Sequence, residues 1–210
     1  MKIIAISDTH GFHNKINIPD GDILIHAGDV TRNGNLEELK DIDYFFSRLP
    51  HKYKILIAGN HDWCFERNLQ ESKEILKNVI YLQDESICIE GINIYGSPWQ
   101  PFFNNWAFNL QRGEEIKKKW DMIPKNTDIL ITHGPSSDVG GDRTIYGDRA
   151  GCKELKLAID RIKPKIHIFG HIHEAYGQYV KGSRVTKIVN ASICNISFKP
   201  VNKPIIIELT

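Results

Sequence analysis

The chain has 210 residues, 27 Lys plus Arg against 26 Asp plus Glu for a formal charge of +1, and 41% hydrophobic residues. That length fits a single domain over residues 1–210, burying roughly 70% of the surface its unfolded chain exposes, and the composition is that of a globular rather than a disordered protein. Near-neutral charge argues against a general nucleic-acid coat, which needs a strong basic excess to neutralise many phosphates, and leaves only a local basic cleft open.

The apolar start Met1–Ile6 is cut short by Ser7-Asp8-Thr9-His10, below the about 7–15 apolar residues of a secretory signal. No run approaches the roughly 18 residues of a membrane span, so the expectation is a cytoplasmic protein with no membrane partner. Short Ile- and Val-rich runs at Lys2–Ser7, Asp22–Ala27, Tyr53–Ala58, Asp128–Thr132 and Lys165–Phe169 read as buried strands. Val79–Leu82, Ser86–Ile94, Val185–Ala191 and Pro204–Leu209 are further strand candidates. Between them, Leu36, Leu39, Ile42, Phe46 and Leu49 share one helical face, with Glu37 and Glu38 at its start. Leu155, Ala158, Ile159 and Ile162 make a second apolar face, and Pro164 ends it. Alternating strands and helices predict a layered α/β fold.

The segment Gly96–Gly113 differs, packing Trp99, Phe102, Phe103, Trp106 and Phe108 among prolines and asparagines. It reads either as a loop folded onto its own aromatics or as an apolar wall beside a pocket. Cys64, Cys88, Cys152 and Cys194 form no C-x-x-C pair and read as reduced thiols, mostly buried, in a reducing compartment.

Polar residues cluster where the strong strands end. The first runs into Asp8-Thr9-His10, the second into Gly28-Asp29, the third into Gly59-Asn60-His61-Asp62; the later two run into His133-Gly134 and Gly170-His171-Ile172-His173. Ligands bind at the carboxyl ends of strands in open α/β sheets. Asp8, His10, Asp29, Asn60, His133, His171 and His173 offer oxygen and nitrogen donors without a thiolate, a set suited to Mn, Fe, Zn, Ni or Mg. Seven donors exceed one tetrahedral ion and suit two divalent ions about 3.5–4 Å apart, with one carboxylate bridging. His26 and His167 lie inside strands and His51 follows a proline, so these three read as structural, while His13 is open.

These blocks, in this order over residues 8 to 173, resemble the calcineurin-like metallophosphoesterases. Gly96-Ser97-Pro98-Trp99, Trp106-Ala107-Phe108 and Gly147-Asp148-Arg149 resemble the small MPPED-type (metallophosphoesterase-domain-containing) subgroup. The resemblance implies a four-layer αββα sandwich of two mixed β-sheets flanked by helices. It implies one ion on Asp8, His10, Asp29 and His173 and a second on Asp29, Asn60, His133 and His171, with a bridging hydroxide attacking phosphorus in line. The implied catalytic set is His61, Asp62 and Asn60: His61 contacts the phosphate and protonates the leaving oxygen, and Asp62 orients it.

Val30-Thr31-Arg32-Asn33-Gly34 replaces the Asp-Arg-Gly of protein phosphatases, and the chain has no evident room for the extra domains of the family's nucleases. The resulting expectation is a dinuclear metal-dependent phosphodiesterase, with manganese the favoured ion among these five, acting on small phosphodiesters, cyclic nucleotides among them, with no extended nucleic-acid binding. Candidate substrate contacts are Trp99, Phe103, Trp106, Arg143 and Arg149, with Arg32 also in reach of a phosphate. The alternatives are a phosphomonoesterase or nucleotidase on the same site, or a non-catalytic protein-binding scaffold.

Overall fold

In the computed structural model, which describes residues 1–179 and 186–209, the first strand already shows how the layers arise. In β1 (Lys2–Ile6), Ile3 and Ala5 turn to one core while Ile4 and Ile6 turn to another, all fully buried. Successive side chains of a strand point to opposite faces, so a run apolar at every position demands cover on both sides.

β1 is followed in space by β2 (Ile23–Ala27), β3 (Tyr53–Ile57) and β4 (Ile80–Tyr81), all parallel. A second sheet carries β5 (Glu85–Ile89) antiparallel to β6 (Ile92–Ser97). A short ribbon, β7 (Gln100–Pro101) with β8 (Asn109–Leu110), interrupts the chain before β9 (Ile129–Thr132) and β10 (Ile166–Phe169) continue the second sheet. β11 (Gly177–Tyr179) forms its far edge, antiparallel to β12 (Lys187–Asn190), and β6, β9, β10 and β12 run parallel. The last strand, β13 (Ile205–Glu208), returns antiparallel to the free edge of β1.

The inner faces of the two sheets share one aliphatic core, in which Ile25 and Ile57 of the first sheet join Ile94, Ile131 and Ile168 of the second. Outside the first sheet pack α1 (Leu36–Ser47), α2 (Trp63–Arg67) and α3 (Leu69–Ile75). Outside the second pack α4 (Glu114–Asp121) and α5 (Lys153–Ile162). This is the four-layer αββα sandwich. Leu39, Ile42 and Phe46 face inward from α1, each contributing roughly 1.5–3 kcal/mol by burial. Among the described residues no helix is long and apolar enough to cross a membrane.

Two expectations need revision. The run Ser86–Ile94 is not one strand but the hairpin β5–β6, turning at Glu90 and Gly91 with φ of 50° and 81°; two successive positive φ values are what a tight two-residue hairpin requires. The expected strand Val185–Ala191 is seen as β12, and its first residue, Val185, lies outside the described residues. The four cysteines are free, three of them buried and Cys88 exposed.

Candidate metal centre

Where β1, β2 and β10 end, the backbone enters an unusual conformation. Asp8, His10, Asp29 and His171 have φ of 52°, 43°, 55° and 66°, a left-handed region that costs side-chain-bearing residues about 1–3 kcal/mol each. Crossed hydrogen bonds hold the first three: Asp8 N donates to Gly28 O at 2.9 Å and His10 N to Asp29 O at 3.0 Å. Two neighbouring glycines make room. A Cβ on Gly59 would lie 2.3 Å from Asp29 Oδ1, and one on Gly170 would lie 2.0 Å from Asp8 Oδ2, so neither position admits a side chain.

The donors expected from the strand ends meet in one place. His10 Nε2 and His173 Nε2 face each other at 3.2 Å, with Asp8 Oδ1 3.3 Å from the latter. Asp29 Oδ2 lies between two imidazoles, 3.8 Å from His10 Nε2 and 3.4 Å from His133 Nε2. Asn60 Oδ1 is 2.9 Å from His133 Nε2 and 2.8 Å from His171 Nδ1. Partners outside the cluster set two of the rings: His133 Nδ1–H donates to Ala27 O and His173 Nδ1–H to Asn195 O, each at 3.0 Å. The opposite nitrogens are thereby left to the centre, the arrangement that metal-binding histidines adopt. Ser192 Oγ donates to Asp8 Oδ2 at 2.9 Å.

Electrostatics argue the same way. Burial pushes Asp8 and Asp29 upward, but the surrounding histidines outweigh it and hold both carboxyls well below their ordinary range. Burial pushes His133 and His173 down, yet the attraction of Asp29 and Asp8 raises both to about 9. His10 and His171, dominated by burial, fall to about 4. Two buried carboxylates are thus compensated by borrowed protons, and divalent cations compensate such a pair more directly. Soft ligands are absent from the cluster, and the oxygen and nitrogen donors fit hard or borderline divalent ions.

His61 lies at the edge of this centre, its ring stacked on Trp106 at 4.4 Å and edge-on to His10 at 4.6 Å. Its Nδ1 reaches Arg32 O at 3.2 Å, which leaves Nε2 as the free nitrogen. Asp62, expected to orient this ring, makes its hydrogen bonds elsewhere. Its carboxylate accepts from Val30 N, Thr31 N, Thr31 Oγ1 and Gly59 N at 3.2, 2.9, 2.6 and 2.8 Å. Burial and then the nearby Asp29 charge raise Asp62 to about 6.

The candidate substrate residues divide. Phe103 and Trp106 line the cleft over Asn60, His171 and His173 together with Phe198, and Arg32 lines the adjoining hollow beside His61. Trp99 is placed elsewhere, with Nε1 donating to Asp84 at 2.9 Å and its ring against the fully buried Phe108. Arg149 pairs with Asp142 and Asp138 at 3.1 and 3.3 Å, and Arg143 is exposed on the same hairpin. The sequence reading did not single out Phe198, Ser192 or the Asn195 carbonyl; all three follow β12, where no polar cluster of ligand type marks the strand end.

The calcineurin-like phosphoesterase family model matches residues 1–175. Metallophosphoesterase domain-containing protein 1 of Homo sapiens is 41% identical over 232 residues, covering 99% of this chain and 71% of that protein. UPF0046 protein K07C11.7 of Caenorhabditis elegans is 38% identical over 221 residues, covering 98% and 74%. In fold, the chain matches the crystal structure of TT1561 of Thermus thermophilus with a TM-score of 0.59 at 15% identity, over 90% of this chain and 88% of that one. A family match through β10 and close relatives along nearly the whole length agree with the gathered donors: this chain belongs to the calcineurin-like phosphoesterases.

Proposed function

We propose that the protein is a dinuclear, manganese-dependent phosphodiesterase for small phosphodiesters, cyclic nucleotides among the candidates. The observation that carries this reading is Asp29 Oδ2, within 4 Å of an imidazole from each of two ligand groups, His10 at 3.8 Å and His133 at 3.4 Å. A carboxylate so placed suits a bridge between two ions. Asp8, His10, Asp29 and His173 would hold one ion, and Asp29, Asn60, His133 and His171 the other. When bound, such ions supply Lewis acidity and a coordinated water acidic enough to ionise near neutral pH.

The protein's own side chains supply the rest. His61 keeps its Nδ1 proton on the Arg32 carbonyl, so Nε2 is the atom that meets the ester and, when protonated, donates to the departing oxygen. Trp106 fixes the plane of the ring by stacking. Asp62 ties the turn at Gly59 to the strand that follows Asp29, keeping Asn60 and Asp29 in register. Arg32 supplies a guanidinium to the hollow beside His61.

Preference for a diester rests on the walls of the cleft. Over Asn60 and His171 they are formed by Phe103, Trp106, Ile196 and Phe198. Such apolar surface suits the two organic arms of a diester, where a monoester has one.

The test is hydrolysis of bis(4-nitrophenyl) phosphate beside 4-nitrophenyl phosphate by chelator-stripped protein, before and after adding manganese. The expected result is manganese-dependent cleavage favouring the diester, with two ions per chain by elemental analysis. His61→Gln should lose about 10²–10⁴-fold in turnover while keeping both ions. Preference for the monoester would make the protein a phosphatase. No turnover with manganese, zinc or nickel would leave a binding scaffold.

A further inference from the structure

The metal centre adjoins, at His61, an open hollow of about 510 Å³. His61, Trp106 and Phe198 bound both this hollow and the cleft over Asn60 and His171. Trp63 adds a second indole to its wall. Both indoles are held by a neighbour on the ring, His61 stacked on Trp106 at 4.4 Å and the Arg67 guanidinium over Trp63 at 4.2 Å.

Arg32 is the one Lys, Arg, Asp or Glu among the residues that line the hollow. Its main chain is pinned at both ends, N donating to Glu38 Oε1 at 2.8 Å and O accepting from His61 Nδ1 at 3.2 Å. Its side chain is exposed and has no hydrogen bond, ion pair or ring contact among the described residues. Arg48, Arg112, Arg149 and Arg161, by contrast, all donate to carbonyl or carboxylate oxygens of the protein. Glu38, the carboxylate that reaches this loop, accepts from the main-chain N–H groups of Arg32, Asn33 and Asn35 and forms no ion pair with the guanidinium. Of the two histidines in the wall, His10 sets its Nε2 toward Asp29 in the centre, at 3.8 Å. His61 is held through Nδ1 and keeps Nε2 free. The hollow thus combines ring surface with one uncommitted guanidinium, beside the imidazole that meets the ester.

The direction of bond breaking assigns this hollow to one arm of the substrate. Hydrolysis adds water to phosphorus, breaks the P–O bond to one arm and passes the His61 Nε2 proton to the oxygen of that arm. The departing arm therefore lies on the His61 side. We propose that the hollow binds the departing arm of the diester and selects a flat arm that carries a second anionic group, a carboxylate or a phosphate, with Arg32 as the specificity-determining residue. The planar fork of a guanidinium matches either anion, and the indoles favour a ring over an open chain. The assignment to a departing arm rests on the phosphodiesterase reading; the anion selectivity of the hollow does not.

The first experiment needs no turnover. Benzoate and its neutral counterpart benzamide are titrated into zinc-loaded protein at low ionic strength under two-dimensional NMR. Benzoate should bind about tenfold more tightly, shifting the Trp63 and Trp106 indole N–H resonances. Arg32→Met, which keeps both main-chain hydrogen bonds, should remove the preference, and Arg32→Lys should retain part of it. Equal affinity in the wild type, shifts confined to other residues, or a preference undiminished in Arg32→Met would overturn the subsite; the last result would assign the carboxylate to the ions.

The second experiment compares kcat/KM for methyl 3-carboxy-4-nitrophenyl phosphate and methyl 3-carbamoyl-4-nitrophenyl phosphate. The ratio of acid to amide should fall about tenfold from wild type to Arg32→Met. A general disturbance of His61 would slow both esters and leave that ratio alone. An unchanged ratio, with bis(4-nitrophenyl) phosphate still cleaved, would overturn the proposal and leave the phosphodiesterase reading standing. No cleavage of any diester, with benzoate still selected through Arg32, would overturn that reading and the assignment to a departing arm together.

Discussion

Asp62 and His61 are adjacent in sequence yet do different work, and substitution should separate them. The Asp62 carboxylate accepts four hydrogen bonds from residues 30, 31 and 59. Asp62→Asn turns one oxygen into a donor facing donors, a loss of about 3 kcal/mol or a Tm lower by on the order of 6–12 °C. His61, half-buried and held through one ring nitrogen, should tolerate His61→Gln with a Tm change near zero. Thermal melts of the two variants decide it; a small change in Asp62→Asn would return Asp62 to a purely catalytic part. Gly-Asn-His-Asp at a strand end announced polar chemistry in the sequence. It did not announce that the last carboxylate turns away from the imidazole, because that depends on backbone N–H groups thirty residues earlier.

Helix α1 shows how an element outside the candidate site is tied to His61. Asn35 caps it, accepting from Glu38 N at 2.9 Å, and Glu38 reaches back to Arg32 N at 2.8 Å, to Asn33 N at 3.1 Å and to Asn35 N at 3.3 Å. The same Arg32 offers its carbonyl to His61. Loss of the cap in Asn35→Ala should cost about 1 kcal/mol of stability and leave kcat alone. Glu38→Ala should cost a similar amount but also lower kcat about tenfold with KM little changed, since the loop orienting His61 is released. Steady-state kinetics on both variants, with equal kcat losses as the contrary result, test this. The apolar spacing of α1 and its acidic first turn were legible in the sequence, as were α5 and the long buried strands. Short α2 and α3 were not, nor was α4, which buries only Ile116 and Trp120 and so shows too little periodicity. The Ser86–Ile94 run hid its hairpin because Glu90 takes a conformation that its residue type does not advertise.

Over the whole molecule, each sheet carries one buried histidine bonded to a threonine: His26 to Thr9 at 2.9 Å and His167 to Thr132 at 2.8 Å. Burial drives both to about 3, below the roughly 6.5 of an unfolded histidine. The unfolded chain therefore takes up protons first as pH falls. Stability from these groups is complete above about 6.5 and declines from there toward 3, with a loss on the order of 2 kcal/mol per histidine by about pH 5. His167→Phe should flatten this acid limb. Urea unfolding at neutral and acidic pH measures it, and identical slopes in wild type and variant would show that His167 is not held neutral.

The division of the proposed ligand set between the sheets has a consequence for how the chain comes into being. Asp8, His10, Asp29 and Asn60 hang from the first sheet, while His133, His171 and His173 hang from the second. Their contacts join residues 73 to 165 positions apart. Closing loops of that length is among the slower events of folding. A ribosome-bound chain that has emerged only through β3 would display Asp8, His10 and Asp29, three of the seven proposed ligands, and would hold no ion firmly. With the proposed ligands, ion capture would belong to the final docking of the two sheets, and the order of synthesis would keep the chain from acquiring its chemistry before its fold.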